Sequence, residues 1–580
     1  MTGGPARPAW QRIPVFRSLS GYQRAWLSSD LVAGLTVWAV LVPEALAYAT
    51  IAGVSPVVGL YAAMPALVLY AAFGSSRHLV VGPMAATAAL SAAAVGDIAN
   101  RTGANFTQLT AAMALVAGAI ALIAGLARLG FLASFISGPV LKGFIIGLAL
   151  TIIVGQIPKL FGIDKTDGDF FEQAWGIITH LGDTQSWTLL VGVVSLAGVM
   201  LLRRFAPKVP GSLVVVLAAI AAVSVFDLDA KGVGIVGPIQ SGLPQLGLPD
   251  VGLSDYGALV GSAAGLVLIA FAEGLGAAKT YATRDHYRID VNRELIGLGA
   301  ANIGSGACSG MVVNGSLSKT AVNGEAGAKS QVSGLLVAGL TILTLLFLTG
   351  LFENLPEAAL AAVVIAAVVE LIDRWALVRL WRSYTAALGS IYGWAARVDL
   401  IAALAALFGV LLFDTLPGLF IGIVVSIVLL VYRASRPHVA VLGRRPGEHH
   451  WVDLDRNPDA TTQPGIVVLR PESGLFYANA DNVSADIDNH VDDTTHAVVV
   501  DLASVPVIDV SAVDMLVELD EDLTRRGLTL CIARDIGQVS DVLATAGGSA
   551  LLQRLYPTAD DAVAALGRPP SNETGPPDQA

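Results

Sequence analysis

Charge is scarce along this chain: only 14% of its 580 residues are Asp, Glu, Lys or Arg, against 54% hydrophobic, with a mean hydropathy of +0.67. Soluble domains carry roughly a quarter of their residues charged, so the composition excludes one of this length and indicates a polytopic membrane protein. Cysteine is almost absent. Cys308 and Cys531 lie far apart and match no disulfide framework or metal-ligand spacing, so free thiols are expected. Residues 1–30 lack the apolar stretch of a signal peptide and instead carry Arg7, Arg12, Arg17 and Arg24 among prolines, so the first spanning helix is expected to direct insertion. The glycines of Gly297-Leu298-Gly299 and Gly304-Ser305-Gly306 follow no β-strand and precede no Lys-Ser/Thr at Walker spacing, which excludes a nucleotide loop. His449 and His450 have no companion ligands for a metal. No nucleophile–base constellation appears, so neither an enzyme nor a cofactor is expected. The net charge of −11 arises largely in the C-terminal part, at Asp481 to Asp493 and Asp514 to Asp522. It therefore does not bear on substrate sign, and nothing suggests a nucleic-acid partner.

What the chain does have is apolar runs of spanning length. The first half places them near 31–49, 57–73, 79–95, 109–127, 136–155, 187–202 and 211–226. The second places them near 257–278, 293–307, 316–328, 331–351, 356–372, 397–413 and 417–433, two of these conspicuously short. Alternate loops hold most of the Lys and Arg, among them Arg77, Arg128, Arg203, Lys279, Arg293 and Arg374. The other loops hold only Arg101, Lys159, Lys165 and Lys231. The positive-inside rule then puts both termini in the cytoplasm, and an odd number of spans per half inverts one half relative to the other. A weak echo supports duplication: Pro43-Glu44-Ala45-Leu46-Ala47-Tyr48-Ala49-Thr50 against Ala272-Glu273-Gly274 followed by Thr280-Tyr281-Ala282-Thr283.

Between Gly297 and Asn323 the apolar pattern is broken by glycines, serines, Asn314 and Lys319, and the first half breaks comparably from Arg77 to Thr87, with Gly82-Pro83. A lipid-facing helix has no use for such residues. A helix that stops at mid-depth and offers its N-terminal N–H groups to an anion does. Paired interrupted segments, one per half, are the strongest sequence pointer to a transporter's substrate site.

The expected domains are a cytoplasmic N-terminal segment (1–30), a transmembrane domain of fourteen segments (31–433, with repeats 31–226 and 257–433), a linker (434–463), an α/β domain (464–566) and a disordered tail (567–580). In the α/β domain, strands are expected at 466–469, 474–477, 497–502 and 528–533, and helices at 481–491, 511–526 and 536–546.

Pro56-Val57-Val58-Gly59-Leu60-Tyr61-Ala62-Ala63, Leu69-Tyr70 and Gly74-Ser75-Ser76-Arg77 closely resemble the signature of sulfate permease (SulP) transporters, the solute carrier 26 type, with Val58 in place of the usual Tyr. Pro464 to Leu566 looks like that family's STAS domain, with Asp509-Val510-Ser511-Ala512 where such domains carry a phosphorylatable loop. The resemblance implies a seven-plus-seven inverted repeat of core and gate domains, an anion held between the third and tenth helices, and a homodimer with cytoplasmic STAS domains. Nucleobase permeases share such a core but lack a STAS domain, and would need acids on both the eighth and tenth segments. A membrane-anchored STAS signalling protein with little transport is a reading of another class.

The substrate-binding candidates are Ser316, Ser318, Lys319 and Thr320 at the start of the tenth segment, with Tyr48, Met84 and Ala85. Hydroxyls and helix N-terminal N–H groups donate to an oxyanion, and lysine adds a point charge where the family more often has arginine. The bland alternative is a hydroxyl-rich cap with a snorkelling lysine. Glu273, in an apolar run, and Glu44, after Pro43, are the coupling-ion candidates, because an intramembrane carboxylate costs about 2.5–3.5 kcal/mol on insertion scales and needs a role. Protons are the expected coupling ion, ahead of Na+. The alternative for Glu273 is an ion pair with Lys319. Pro43 is expected to kink or unwind the first span. Ser511 is the candidate phosphorylation site, or else a helix N-cap. The expected protein is thus a secondary active anion transporter of a bacterial plasma membrane. It would take sulfate first, or bicarbonate or a dicarboxylate, by an elevator-like movement, with a further cytoplasmic partner at the STAS domain.

Overall fold

The computed structural model describes residues 15–16, 19, 22–131, 137–166, 168–206, 209–369, 372–382, 397–413, 415–445, 450–534 and 537–567. Most of the N-terminal segment, His449 and the tail beyond Gly567 lie outside the described residues.

In hydrocarbon a helix alone satisfies all its backbone polar groups within one segment, and the apolar runs fold accordingly. The first half forms α1 (Leu27–Ile51), α2 (Val57–Phe73), α3 (Ala85–Thr102), α4 (Phe106–Leu126), α5 (Gly138–Phe161), α6 (Phe170–Thr179), α7 (Ser186–Phe205) and α8 (Gly211–Phe226). The second forms α9 (Leu253–Arg284), α10 (Val291–Ala307), α11 (Leu317–Glu325), α12 (Val332–Leu343), α13 (Glu357–Val369), α14 (Arg374–Arg382), α15 (Val398–Phe413) and α16 (Thr415–Ser435). Setting aside the short α6 and α14, these helices follow the expected spans one for one. Among the described residues, seven helical stretches are long and apolar enough to cross a membrane, and four apolar helices are shorter. α1 passes through Pro43 as one α-helix, so the expected unwinding there does not occur.

Two strands interrupt the helical pattern, one in each half. β1 (Val80–Gly82) precedes α3, β2 (Asn314–Ser316) precedes α11, and the two pair antiparallel with Val80 opposite Ser316 and Gly82 opposite Asn314. The halves are thus an inverted repeat, each contributing one strand–helix unit to the same ribbon. Helices α1 to α4 pack with α9 to α12, while α5, α7 and α8 pack with α13. A close seam joins α4 and α10 at paired glycines. A Cβ on Gly118 would lie 2.6 Å from Ile303 N, and one on Gly299 would lie 2.6 Å from Leu122 N, so only glycine lets these backbones meet.

The C-terminal unit holds a six-stranded sheet in the order β4-β3-β5-β6-β7-β8. Its strands are β3 (Val439–Arg444), β4 (Trp451–Asp453), β5 (Ile466–Pro471), β6 (Ala497–Asp501), β7 (Thr529–Ala533) and β8 (Leu555–Tyr556), with β5 to β8 parallel. Helices α17 (Ala480–Asn489), α18 (Val510–Arg525), α19 (Gly537–Thr545), α20 (Ser549–Leu552) and α21 (Ala559–Leu566) complete it. Two expectations are corrected. The stretch 434–463 is not a plain linker, because β3 pairs antiparallel with β5 and β4 with β3. Its alternation is hard to read in the sequence because the stretch is rich in charge, proline and glycine. Residues 474–477 form no strand and make only the isolated bridge Leu475 to Ile508.

Candidate functional site

The ribbon is the centre of the site, and buried carboxamides hold it. Asn302 on α10 clamps the approach to β2: its Nδ2 donates to Val313 O at 3.0 Å, and its Oδ1 accepts from Val313 N at 2.9 Å. On the other side Gln331 Nε2 donates to Ser76 O and Leu79 O at 3.0 and 2.9 Å, and Asn323 Nδ2 donates to His78 O at 2.9 Å. These side chains satisfy backbone flanking the strands that would otherwise be unpaired in a buried, water-poor place.

Because the strands run antiparallel, α3 begins at one end of the ladder and α11 at the other, about 7 Å apart along a strand at 3.4 Å per residue. Each start presents the positive end of a helix dipole at the ribbon. The N-cap of α3 is Met84, whose side chain makes no cap bond, leaving the first-turn N–H groups of Ala85 and Ala86 without a competing side-chain acceptor. The N-cap of α11 is Ser316, whose Oγ accepts from Lys319 N at 3.2 Å and lies 3.2 Å from Ser318 Oγ. Ser318 is exposed, whereas Ser316, Lys319 and Thr320 are buried. Thr320 ties helix to strand instead of facing outward: its Oγ1 accepts from Val80 N at 3.0 Å.

Lys319 is 1% exposed, and its ammonium donates to Glu44 Oε2 at 2.8 Å and to Pro83 O at 3.2 Å while standing 4.9 Å from the centre of the Tyr48 ring. Glu44 and Tyr48 thus share one face of α1, as their spacing of four residues requires. The alternative reading of Glu273, an ion pair with Lys319, is not what the structure shows: Glu273 on α9 accepts instead from Asn314 Nδ2 at 3.1 Å, and Asn314 Oδ1 accepts from Gly315 N. The two acids therefore flank the ribbon, Glu44 paired with a cation and Glu273 with a neutral donor. Sequence reasoning brought together Glu44, Tyr48, Met84, Ala85, Glu273 and Ser316 to Thr320. It named Asn314 only as a break in the helix and not as the partner of Glu273, and it missed the roles of Asn302, Asn323 and Gln331, whose only signal is a carboxamide set among small and apolar residues.

Ser511 belongs to the C-terminal unit, where it is exposed. The N-cap of α18 is Asp509 and not Ser511: Asp509 Oδ1 accepts from Ala512 N at 2.9 Å and its Oδ2 from Tyr477 N at 2.8 Å.

Chemically, two helix N-termini, a serine hydroxyl and a neutralised lysine can hold a small anion, and an acid beside them can carry a proton. Comparison with known proteins identifies the family. Residues 27–388 match the sulfate permease family and residues 457–562 the STAS domain. A probable sulfate transporter of Mycobacterium tuberculosis is 38% identical over 88% of this chain and 90% of its own length. High affinity sulfate transporter 1 of Stylosanthes hamata is 29% identical over 96% of this chain and 86% of its own. The murine solute carrier 26 family member A9 anion transporter, in its inward-facing state, superposes with a TM-score of 0.84 at 22% identity, over 97% of this chain and 95% of that one. The transmembrane domain of a cyanobacterium bicarbonate transporter superposes with a TM-score of 0.59 at 21% identity, over 70% of this chain and 98% of that one.

Proposed function

This chain belongs to the sulfate permease family of anion transporters, and from that premise we propose that it is a secondary active transporter coupling uptake of sulfate, or a similar small oxyanion, to protons. Sulfate is favoured because the plant and mycobacterial relatives are named for it. The observation that carries the reading is the charge arrangement at the ribbon. Glu44 and Lys319 cancel, so the site's net charge is set by Glu273. With Glu273 ionised, a dianion between the helix N-termini meets an uncompensated negative charge, costing on the order of 2 kcal/mol per pair of unit charges about 8 Å apart at an effective dielectric of about 20. Protonation of Glu273 removes that repulsion, which makes proton and anion bind together. Coupling in this sense is a binding free energy shared by two ligands.

Glu44 and Tyr48 on α1, Met84 at the N-cap of α3, Glu273 on α9, and Ser318 and Lys319 on α11 lie within one packed group of helices. Movement of that group against α5, α7, α8 and α13 would carry the site bodily across the membrane, as an elevator-like mechanism needs. The reading further places the protein as a homodimer in a bacterial plasma membrane with both termini cytoplasmic, and takes exposed Ser511 as a modification site for a cytoplasmic partner. The test is uptake of labelled sulfate into proteoliposomes with selenate, bicarbonate, fumarate and chloride as competitors. Uptake blocked by selenate supports the assignment. Transport of a competitor in place of sulfate moves the substrate, and silence for every anion overturns the transport reading in favour of a signalling anchor.

A further inference from the structure

Helices α7 and α8 bound a groove of about 590 Å³ whose lining runs from Trp187 to Gly198 on α7 and from Phe226 back to Val215 on α8. At 1.5 Å per residue that is about 16 Å, half of a hydrocarbon core about 30 Å thick. The groove is therefore about as deep as one leaflet. α7 is long and apolar enough to cross a membrane, and Leu190 and Val194 in the groove wall are large apolar side chains left exposed. Such a surface on a spanning helix is met by lipid, and a lengthwise groove in it fits an acyl chain.

One end of the groove differs from the rest. The lining is apolar or aromatic except for Ser195, which is buried, and Lys231, which stands at the end where α8 finishes and α7 starts. Lys231 Nζ lies 5.1 Å from the centre of the Trp187 ring, a cation over an indole face. The turn that presents it is fixed: Lys231 N donates to Leu228 O at 3.1 Å, Val233 N donates to Leu228 O at 3.0 Å, and the buried Leu228 and Val233 pack with Val223. Asp227 and Asp229 belong to the same turn but do not line the groove, and Lys231 forms no ion pair among the described residues. Tryptophan and lysine at the end of a span sit at the level of lipid headgroups. An acyl chain in the groove thus brings its headgroup phosphate to the charged group of the lining.

We propose that the α7–α8 groove binds one membrane phospholipid, with an acyl chain laid between the helices and its phosphate against the Lys231 ammonium. Apolar contact along the chain supplies the hold, and the ammonium fixes which end of the lipid stands at the mouth. A free phosphate would leave the apolar length of the groove uncovered, and a cation at the mouth has no place in a purely apolar helix–helix seam. The site is separate from the ribbon, and it stands whether or not the substrate is sulfate.

The test uses the full-length protein in phosphatidylglycerol vesicles doped with a phosphatidylglycerol that carries a photoreactive diazirine near the end of one acyl chain. Crosslinked residues are mapped by peptide mass spectrometry. Labelling is expected at Gly198 and Val215, the deep end of the groove, about 5-fold or more above that at Val193 and Leu201, exposed apolar residues of α7 outside it. Lys231→Glu at the mouth and Ala222→Trp in the wall should each lower the groove labelling about 5-fold and leave Val193 unchanged. Even labelling around α7 in the wild type would mean ordinary solvation by lipid and would overturn the site, as would groove labelling that survives both variants. Loss of labelling on adding inorganic phosphate would make this a free-anion site, and a disulfide through Val194→Cys between two copies would make it a protein interface; either result also overturns the proposal.

Discussion

Lys319 shows how a single side chain takes its meaning from its neighbours. As a sequence position it is a cation beside hydroxyls at a helix start. In the structure it is buried against Glu44 and the Pro83 carbonyl, so its first effect is to keep a carboxylate tolerable inside the membrane domain. Breaking such a pair from one side leaves an uncompensated buried charge and costs about 3–5 kcal/mol, whereas replacing both partners is often nearly neutral. Lys319→Met should therefore lower the thermal transition of the purified protein, and adding Glu44→Gln should restore it without restoring anion uptake. Recovery of both stability and uptake in the double variant would show that the pair is structural only. The residue types at the site were legible because hydroxyls, a lysine and two acids stand out in an apolar sequence. Which acid pairs with Lys319 was not, since Glu44 is 275 positions away and Glu273 is much nearer in the chain.

At the scale of elements, the fold turns on a ribbon too short for any periodicity to announce it. β1 and β2 have three residues each, and the glycine and asparagine in them, with Pro83 just after β1, signal only a break in a helix. Helix spans were legible because about 20 apolar residues have one outcome in hydrocarbon. Strand pairing between the two halves was not, because it is decided by tertiary contact. Close approach fixes the ribbon against α9: a Cβ on Gly315 would lie 2.9 Å from Leu79 Cδ2 and 3.0 Å from Gly274 Cα. Gly315→Ala should displace the start of α11, with a strain of about 1–3 kcal/mol, and should reduce sulfate uptake at least 10-fold. Gly276→Ala, where a Cβ meets nothing within 4 Å, is the matched control and should transport normally. Equal activity in the two variants would mean that the ribbon's position is not critical.

For the molecule as a whole, the membrane part and the C-terminal domain divide in a different place from the one that composition suggests. A charged stretch rich in turn residues reads as a linker, yet β3 and β4 within it are part of the C-terminal sheet. A chain ending at Ser435 should therefore stay monodisperse and keep anion uptake. One ending at Gln463 should aggregate, because β3 and β4 would be left without β5 and expose an unpaired edge. Size-exclusion chromatography of the two truncations separates these outcomes, and identical behaviour would contradict the assignment of β3 to the domain. The central claim, that the ribbon site binds an oxyanion together with a proton carried by Glu273, is tested most directly by proton movement. Acidification inside proteoliposomes is followed with a pH-sensitive dye when sulfate is added outside, in the wild-type protein and in Glu273→Gln. The account predicts sulfate-dependent acidification in the wild type and none in the variant; acidification of equal rate and pH dependence in both would contradict it.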